Sequence, residues 1–311
     1  MHPALSIVFF TTASGAGFGL LTLTGLGAPL GLLPQNPWFG FAALATATAL
    51  AVAGLLSSFL HLGRPERAWR AFSQWRTSWL SREGVLSVLA FLPAAVFAAG
   101  WLLLGRTGGF AGLCGILAAA LATASVFCTG MIYASLKPIR QWHNGWVVPN
   151  YLLLALMAGL LLLDLIVRFW AVPVAIPIMT LAVLGLAWWS KEGYWRFVDT
   201  AAAPSTVASA TGLGLRGAVR LLEPPNTEEN YLLKEMGFRI ARKHRLRLRL
   251  VARLAAFAVP LVATLVALAT GVIAAAAIAV LSAALGLVVE RWLFFAEARH
   301  TVMLYYGEAR V

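Results

Sequence analysis

Residues 57–84 read SSFLHLGRPERAWRAFSQWRTSWLSREG, a polar join in which His61, five arginines, three tryptophans, Glu66 and Glu83 are crowded together. An apolar run lies on each side, Phe39–Leu60 before it and Val85–Leu104 after it. A helix needs about 20 apolar residues to cross a hydrocarbon layer of ~30 Å. Both runs meet that length, so the join sits at one edge of a membrane. This sets the fold class as all-α, a polytopic membrane protein.

Working outward by the same rule gives further spans at Ala4–Leu26, Phe110–Leu136, Trp146–Val167, Val172–Trp189, Leu250–Thr270 and Val272–Phe295, for a bundle of eight transmembrane helices. The last two are separated only by Gly271 and its neighbours. The whole chain, 1–311, reads as one integral membrane domain. Its only sizeable loop is 190–249, in which Asn226 and Glu229 have the spacing of a helix capping box. Composition agrees: 60% of residues are hydrophobic, 12% are charged and the mean hydropathy is +0.82. A soluble domain is about a quarter charged.

The formal charge of +12 raises nucleic acid as a partner, but cytoplasmic loops of a membrane protein give the same balance. Of the 24 Lys and Arg, all but Arg106 and Arg168 fall on the side of the 57–84 join. The positive-inside rule makes that side cytoplasmic and places both termini there, with the lipid bilayer and not nucleic acid as the surroundings. The N-terminal apolar stretch lacks a basic leader and reads as a first span. In that span Gly15 and Gly19 have small-xxx-small spacing, which predicts close helix packing in preference to ligand contact. Pro173, Pro177 and Pro260 predict kinks.

Cys114 and Cys128, the only cysteines, share one apolar run, so the chain supplies no iron–sulfur ligand set. His2, His61, His143, His244 and His300 all fall at span ends or in loops, where no pair can clamp a transmembrane haem. Asp164 and Arg168 form an i, i+4 pair at the far edge, and a proton-path role for Asp164 stays open beside that pairing.

His61 closes its apolar run, Arg64 follows by three residues and would share its face on a continuing helix, and Glu83 opens the next span. Pro65 limits how far such a helix runs. A titratable imidazole, a guanidinium and a carboxylate at one membrane edge suit proton exchange with a membrane-dissolved quinone. Structural capping of the helix end is the alternative. Trp69, Tyr133 and Arg291 lie at the same edge, in clusters that also fit ordinary interfacial anchoring.

The segments HLGRPERAW (61–69), SREG (81–84), IYASLKPIRQWHN (132–144) and ERWLFFAEARH (290–300), with the opening MHPALSIVFFTTASGAGFG, resemble the membrane-anchor subunits of dimethyl sulfoxide reductase-type molybdoenzymes along essentially the whole chain. The resemblance implies a haem-free eight-helix anchor. Such an anchor passes electrons between ubiquinone or menaquinone and a four-cluster iron–sulfur subunit, which connects to a molybdopterin catalytic subunit. The family's functional histidine and glutamate match His61 and Glu83. Arg64, Trp69, Tyr133 and Arg291 join the site by location alone. The long basic loop, read as the dock for the iron–sulfur partner, and its cytoplasmic side make the chain look more like the anchors of sulfite dehydrogenase complexes, in a bacterial inner membrane. The direction of electron flow is not encoded in these residues. A secondary transporter and a purely structural anchor remain as readings of other classes; the first expects repeated halves, which are not evident, and the second leaves His61, Arg64 and Glu83 unexplained.

Overall fold

The computed structural model describes the chain except residues 1–4, 172, 203–204, 215–216, 221, 224–238, 307 and 309–310, and except the side chains of His61 and 239–243. The capping box expected at Asn226 lies outside the described residues. Long helices dominate: α1 (Leu5–Gly27), α2 (Pro37–Ser57), α3 (Trp79–Leu104), α4 (Gly109–Ala134), α5 (Val147–Val167) and α6 (Ala175–Thr200). After a short α7 (Val207–Thr211) come α8 (Arg239–Arg253), a π turn (Leu254–Ala258), α9 (Val259–Thr270) and α10 (Ile273–Ala296). Among the described residues seven helical stretches are long and apolar enough to cross a membrane, with His244–Thr270 counting as one. The sixth of the eight expected spans, α6, has the length but carries Lys191, Glu192, Arg196 and Asp199 in its last third.

Interhelix contacts fix the up-and-down order. Ser57 Oγ at the end of α2 donates to Ser6 O at the start of α1 (3.1 Å), and Ser87 and Ser125 share a 2.6 Å hydrogen bond between α3 and α4. Asn150 Nδ2 near the start of α5 donates to Ser190 O on α6 (3.4 Å), so α6 runs antiparallel to α5. One end of the bundle, here end A, therefore gathers the starts of α1, α3 and α5 with the ends of α2, α4, α6 and α10.

Small residues let these helices touch backbone to backbone. A Cβ on Gly19 would sit 2.0 Å from Ala155 O, and one on Gly159 would sit 2.5 Å from the Gly19 carbonyl carbon. The packing expected of Gly19 is thus what joins α1 to α5. Gly15 faces only Ala155 Cβ, at 3.8 Å.

Three local features differ from or refine the sequence reading. α3 begins at Trp79, capped by Ser78, whose side chain accepts from Ser81 N, so Glu83 lies inside the helix and not ahead of it. Pro177 sits in the first turn of α6 and Pro173 precedes it; no helical N–H partner is required there, so neither kinks the helix. At Pro260 the expected distortion takes the form of the π turn, because the proline lacks the N–H that would bond four residues back. Ser282 Oγ of α10 donates to the Ala255 carbonyl there (2.8 Å). The last two helices meet at Gly271, whose φ of +73° is readily reached by glycine.

Candidate functional site

Glu83 occupies the second turn of α3 on the face turned to α4, and it is buried at 4% exposure. Thr129 of α4 donates its hydroxyl to Glu83 Oε1. Four residues on, one helical turn further, Tyr133 shares that face. Its ring stacks on Tyr151 of α5 (5.8 Å between centroids, 16° between planes) and meets Trp142, Phe294 and Phe295 edge-on. The Arg291 guanidinium of α10 lies 3.9 Å from the centre of the Tyr151 ring. An arginine over a desolvated aromatic face gains about 2 kcal/mol.

Arg291 is neutralised locally. Its Nε stands 3.5 Å from Glu290 Oε2, and Glu290 Oε1 also pairs with Lys191 Nζ of α6, all three side chains being almost fully buried. Lys191 in turn lies 4.0 Å over the Tyr194 ring. A second layer of ion pairs ties the same helices towards end A. Arg249 of α8 grips Glu297 (2.7 and 3.0 Å) and Asp199 (2.7 Å), and Arg253 grips Glu192 (2.5 and 2.9 Å).

Between α1, α4, α5 and α10 lies a chamber of about 20 Å³ lined by Thr11, Ser14, Thr129, Tyr151 and Arg291, enough for one water molecule. Tyr151 Oη and Arg291 Nε, both buried, have no hydrogen-bond partner. The hydroxyls of Thr11 and Ser14 are spent on their own helix, donating to Ile7 O (3.0 Å) and Phe10 O (2.6 Å). They can only accept from an occupant. The chamber therefore offers donors from Tyr151 and Arg291 and acceptors from Thr11, Ser14 and Thr129. That pairing fits one water, which can bridge to a neighbouring group that alternates between carbonyl and hydroxyl, and Thr129 links it directly to a carboxylate.

Of the residues singled out in the sequence, Glu83, Tyr133 and Arg291 are brought together here. Arg64 and Trp69 are not. The α2 helix ends at Ser57 and a 3-10 turn closes at His61. Leu62 is then extended and Pro65 opens a separate 3-10 segment (Pro65–Phe72), so no continuing helix puts His61 and Arg64 on one face. Arg64 and Trp69 are both exposed on that segment, with the Arg70 guanidinium 5.7 Å from the Trp69 ring. The side chain of His61 lies outside the described residues. The segment is nevertheless fastened beside the site: Ser81 Oγ donates to Ala71 O, and the Phe72 ring abuts Gly84, the neighbour of Glu83. Asp164 is held by Arg168 through two bonds of 3.0–3.1 Å to its Oδ2 and one of 3.1 Å to its Oδ1, while Arg168 Nη1 reaches Ala267 O (2.9 Å). This is the i, i+4 pair expected at the far edge.

Thr129, Tyr151 and Lys191 are the members that sequence reasoning missed. Thr129 was within reach, one turn before Tyr133. Tyr151 gave no signal inside an evenly apolar run, and Lys191 was taken for the start of a loop. Among the described residues no group of three His, Cys, Asp or Glu side chains stands where it could hold a metal ion.

The family model for the DMSO reductase anchor subunit (DmsC) matches residues 1–297. A sulfite dehydrogenase subunit of Allochromatium vinosum, the one designated C, is 36% identical over 326 residues, an alignment that covers 98% of this chain and 99% of that protein. Fastened helices, an apolar all-helical bundle and a match along nearly the full length agree: the chain belongs to the DMSO reductase anchor subunit (DmsC) family.

Proposed function

We propose that the chain is the quinone-reactive membrane anchor of a molybdopterin and iron–sulfur oxidoreductase, passing electrons between a four-cluster iron–sulfur subunit and the quinone pool. The observation that carries the reading is the convergence of Glu83, Thr129, Tyr133, Tyr151 and Arg291 at end A of the bundle. Buried ionisable and hydrogen-bonding groups at membrane depth are costly and are retained where they act.

Reduction of a quinone takes up two electrons and two protons. Tyr151 and Arg291 supply donors to a ring carbonyl through the one water their chamber can hold. Thr129 relays between that ring and Glu83, which exchanges the proton with the cytoplasmic edge through the fastened 57–84 segment. His61, at the end of that segment's first turn, is the remaining proton-exchanging group, and exposed Arg64 and Trp69 face the docking side. The chain itself holds neither haem nor iron–sulfur cluster in this reading; electrons arrive from the partner subunit.

The anchor crosses the membrane eight times, with α6 as the additional crossing. Support comes from its antiparallel contact with α5 and from the pairing of Lys191 with Glu290, which removes the charge that breaks its apolar run. Both termini and the basic 190–249 segment then lie in the cytoplasm of a bacterium's inner membrane, where the iron–sulfur subunit docks. The sulfite dehydrogenase relative favours electrons flowing from sulfite into the quinone pool. The intact complex is assayed with sulfite plus a quinone analogue, and separately with dimethyl sulfoxide plus a quinol analogue. Turnover in the first supports the reading; turnover only in the second moves the chain to the quinol-oxidising branch. In the productive assay His61→Ala should abolish quinone-linked turnover and leave dye-linked activity of the partners intact.

A further inference from the structure

An apolar groove of about 250 Å³ runs between α1, α5 and α10, with Leu50 of α2 at its side. It shares Thr12, Ala16, Ala158 and Leu287 as a common wall with the polar chamber of Thr129, Tyr151 and Arg291. The groove continues away from end A along α5 to Leu162 and along α10 to Val280, deep in the apolar part of both helices. Apart from Thr12, whose hydroxyl donates to Val8 O (2.9 Å), only hydrocarbon side chains line it. Its rim includes Ala284 and Val288, both exposed on the outside of the bundle.

A long greasy slot, open to the bilayer and ending at a compact set of hydrogen-bond donors and acceptors, has the polarity profile of a molecule with a polar ring and a hydrocarbon tail. The volume approaches the lower bound of small-molecule sites, about 300 Å³. Two buried polar atoms at the closed end, Tyr151 Oη and Arg291 Nε, lack hydrogen-bond partners, and an apolar chain alone would leave them so. Only Thr12 interrupts the groove's hydrocarbon lining, so a charged phosphate seated at its inner end would be desolvated without a partner. A neutral ring suits it better than a phospholipid headgroup. A larger depression, of about 610 Å³, lies at the opposite end against the α3–α4 turn, but none of the partnerless buried atoms line it.

We propose that this groove is the seat of the quinone's prenyl tail, with the ring at its inner end against the wall it shares with the chamber of Tyr151 and Arg291. The inference rests on the quinone-reactive reading above and adds to it the seat of the tail and an orientation. At that wall the ring lies one water-sized chamber away from Thr129 and so from Glu83. The tail stays behind along α5 and α10, which fixes the ring's rotation relative to that relay.

The test uses the intact complex and two quinone analogues, one with a decyl tail and one with no tail. Ala284→Trp places an indole in the rim without disturbing the buried core, and Leu285→Trp, at an exposed position that does not line the groove, is the control. Ala284→Trp is expected to raise KM for the decyl analogue by about tenfold, with KM for the tail-less analogue and the dye-linked activity unchanged. Leu285→Trp should leave all three unchanged. An equal effect on both analogues, or none on either, overturns the groove assignment. Should Ala284→Trp fail to assemble, a quinone with a photoreactive tail applied to the unmodified complex decides: labelling of α1, α5 or α10 supports the proposal, and labelling elsewhere overturns it. If the unmodified complex turns over with no quinone at all, the functional reading itself fails and the groove assignment falls with it. Displacement of the label by phospholipid but not by quinone would assign the groove to lipid.

Discussion

Replacing Thr129 by Val removes one hydroxyl while keeping nearly the same volume. In the wild-type bundle that hydroxyl donates to Glu83, and both residues are less than a tenth exposed. A hydrogen bond to a charged group contributes about 1.5–3 kcal/mol, against about 0.6 kcal/mol for an average interhelical hydrogen bond in a membrane protein. If the bond serves mainly to hold the carboxylate in its charged form during proton exchange, the larger figure belongs to the transition state, and turnover falls by about 10- to 150-fold. Assembly depends on the smaller figure and should survive. The assay is quinone-linked turnover of the purified complex, with dye-linked activity as the internal reference. A Thr129→Val complex that assembles and keeps quinone-linked turnover within about twofold of wild type would refute the relay, because no step would then depend on that hydroxyl.

Gly19→Leu should prevent α1 from seating on α5, since even a Cβ would lie 2.0 Å from Ala155 O; Gly15→Ala, whose Cβ has its nearest neighbour at 3.8 Å, should accumulate normally in the membrane. Glu290→Gln leaves buried Lys191 and Arg291 with no carboxylate and should lower stability by about 3–5 kcal/mol, read as loss of complex on mild heating; Lys191→Met leaves Glu290 paired with Arg291 and should cost less. A C-terminal reporter should be active only in its cytoplasmic form, and activity only in the periplasmic form would contradict the eight-crossing orientation.

The length of each apolar run was enough to locate the helices, because in lipid an unpaired backbone is too costly to leave a span anything but helical. Helix ends were harder. Hydropathy stopped the sixth span at Trp189, yet α6 continues to Thr200, because Lys191 pairs with Glu290 and Glu192 with Arg253 across the bundle. A charge that ends an apolar run does not end a helix when a partner on another helix meets it, and that partner is invisible in a local window. The start of α3 was missed for a related reason: Ser78 caps the helix among polar residues ahead of the apolar run, which moves Glu83 from a membrane edge into a buried turn.

The site was half legible. Glu83, Tyr133 and Arg291 stood out because ionisable and aromatic residues at one membrane edge are conspicuous, and the bundle does bring them together. Arg64 and Trp69 stood out on the same grounds, but Pro65 turns their segment outward. Tyr151 could not be assigned to a site in advance, since a helix that is apolar nearly all round does not announce which face meets its neighbours.

The central claim is that the buried carboxylate at end A exchanges protons with the quinone, and Glu83→Gln tests it most directly. The substitution keeps the shape and the capacity to accept from Thr129 but removes the titrating group. In the assembled complex the account predicts a fall in quinone-linked turnover of about 100-fold or more, the usual loss when a positioned acid or base is removed, with dye-linked activity unchanged. An assembled Glu83→Gln complex that reduces the quinone analogue at the wild-type rate would contradict it.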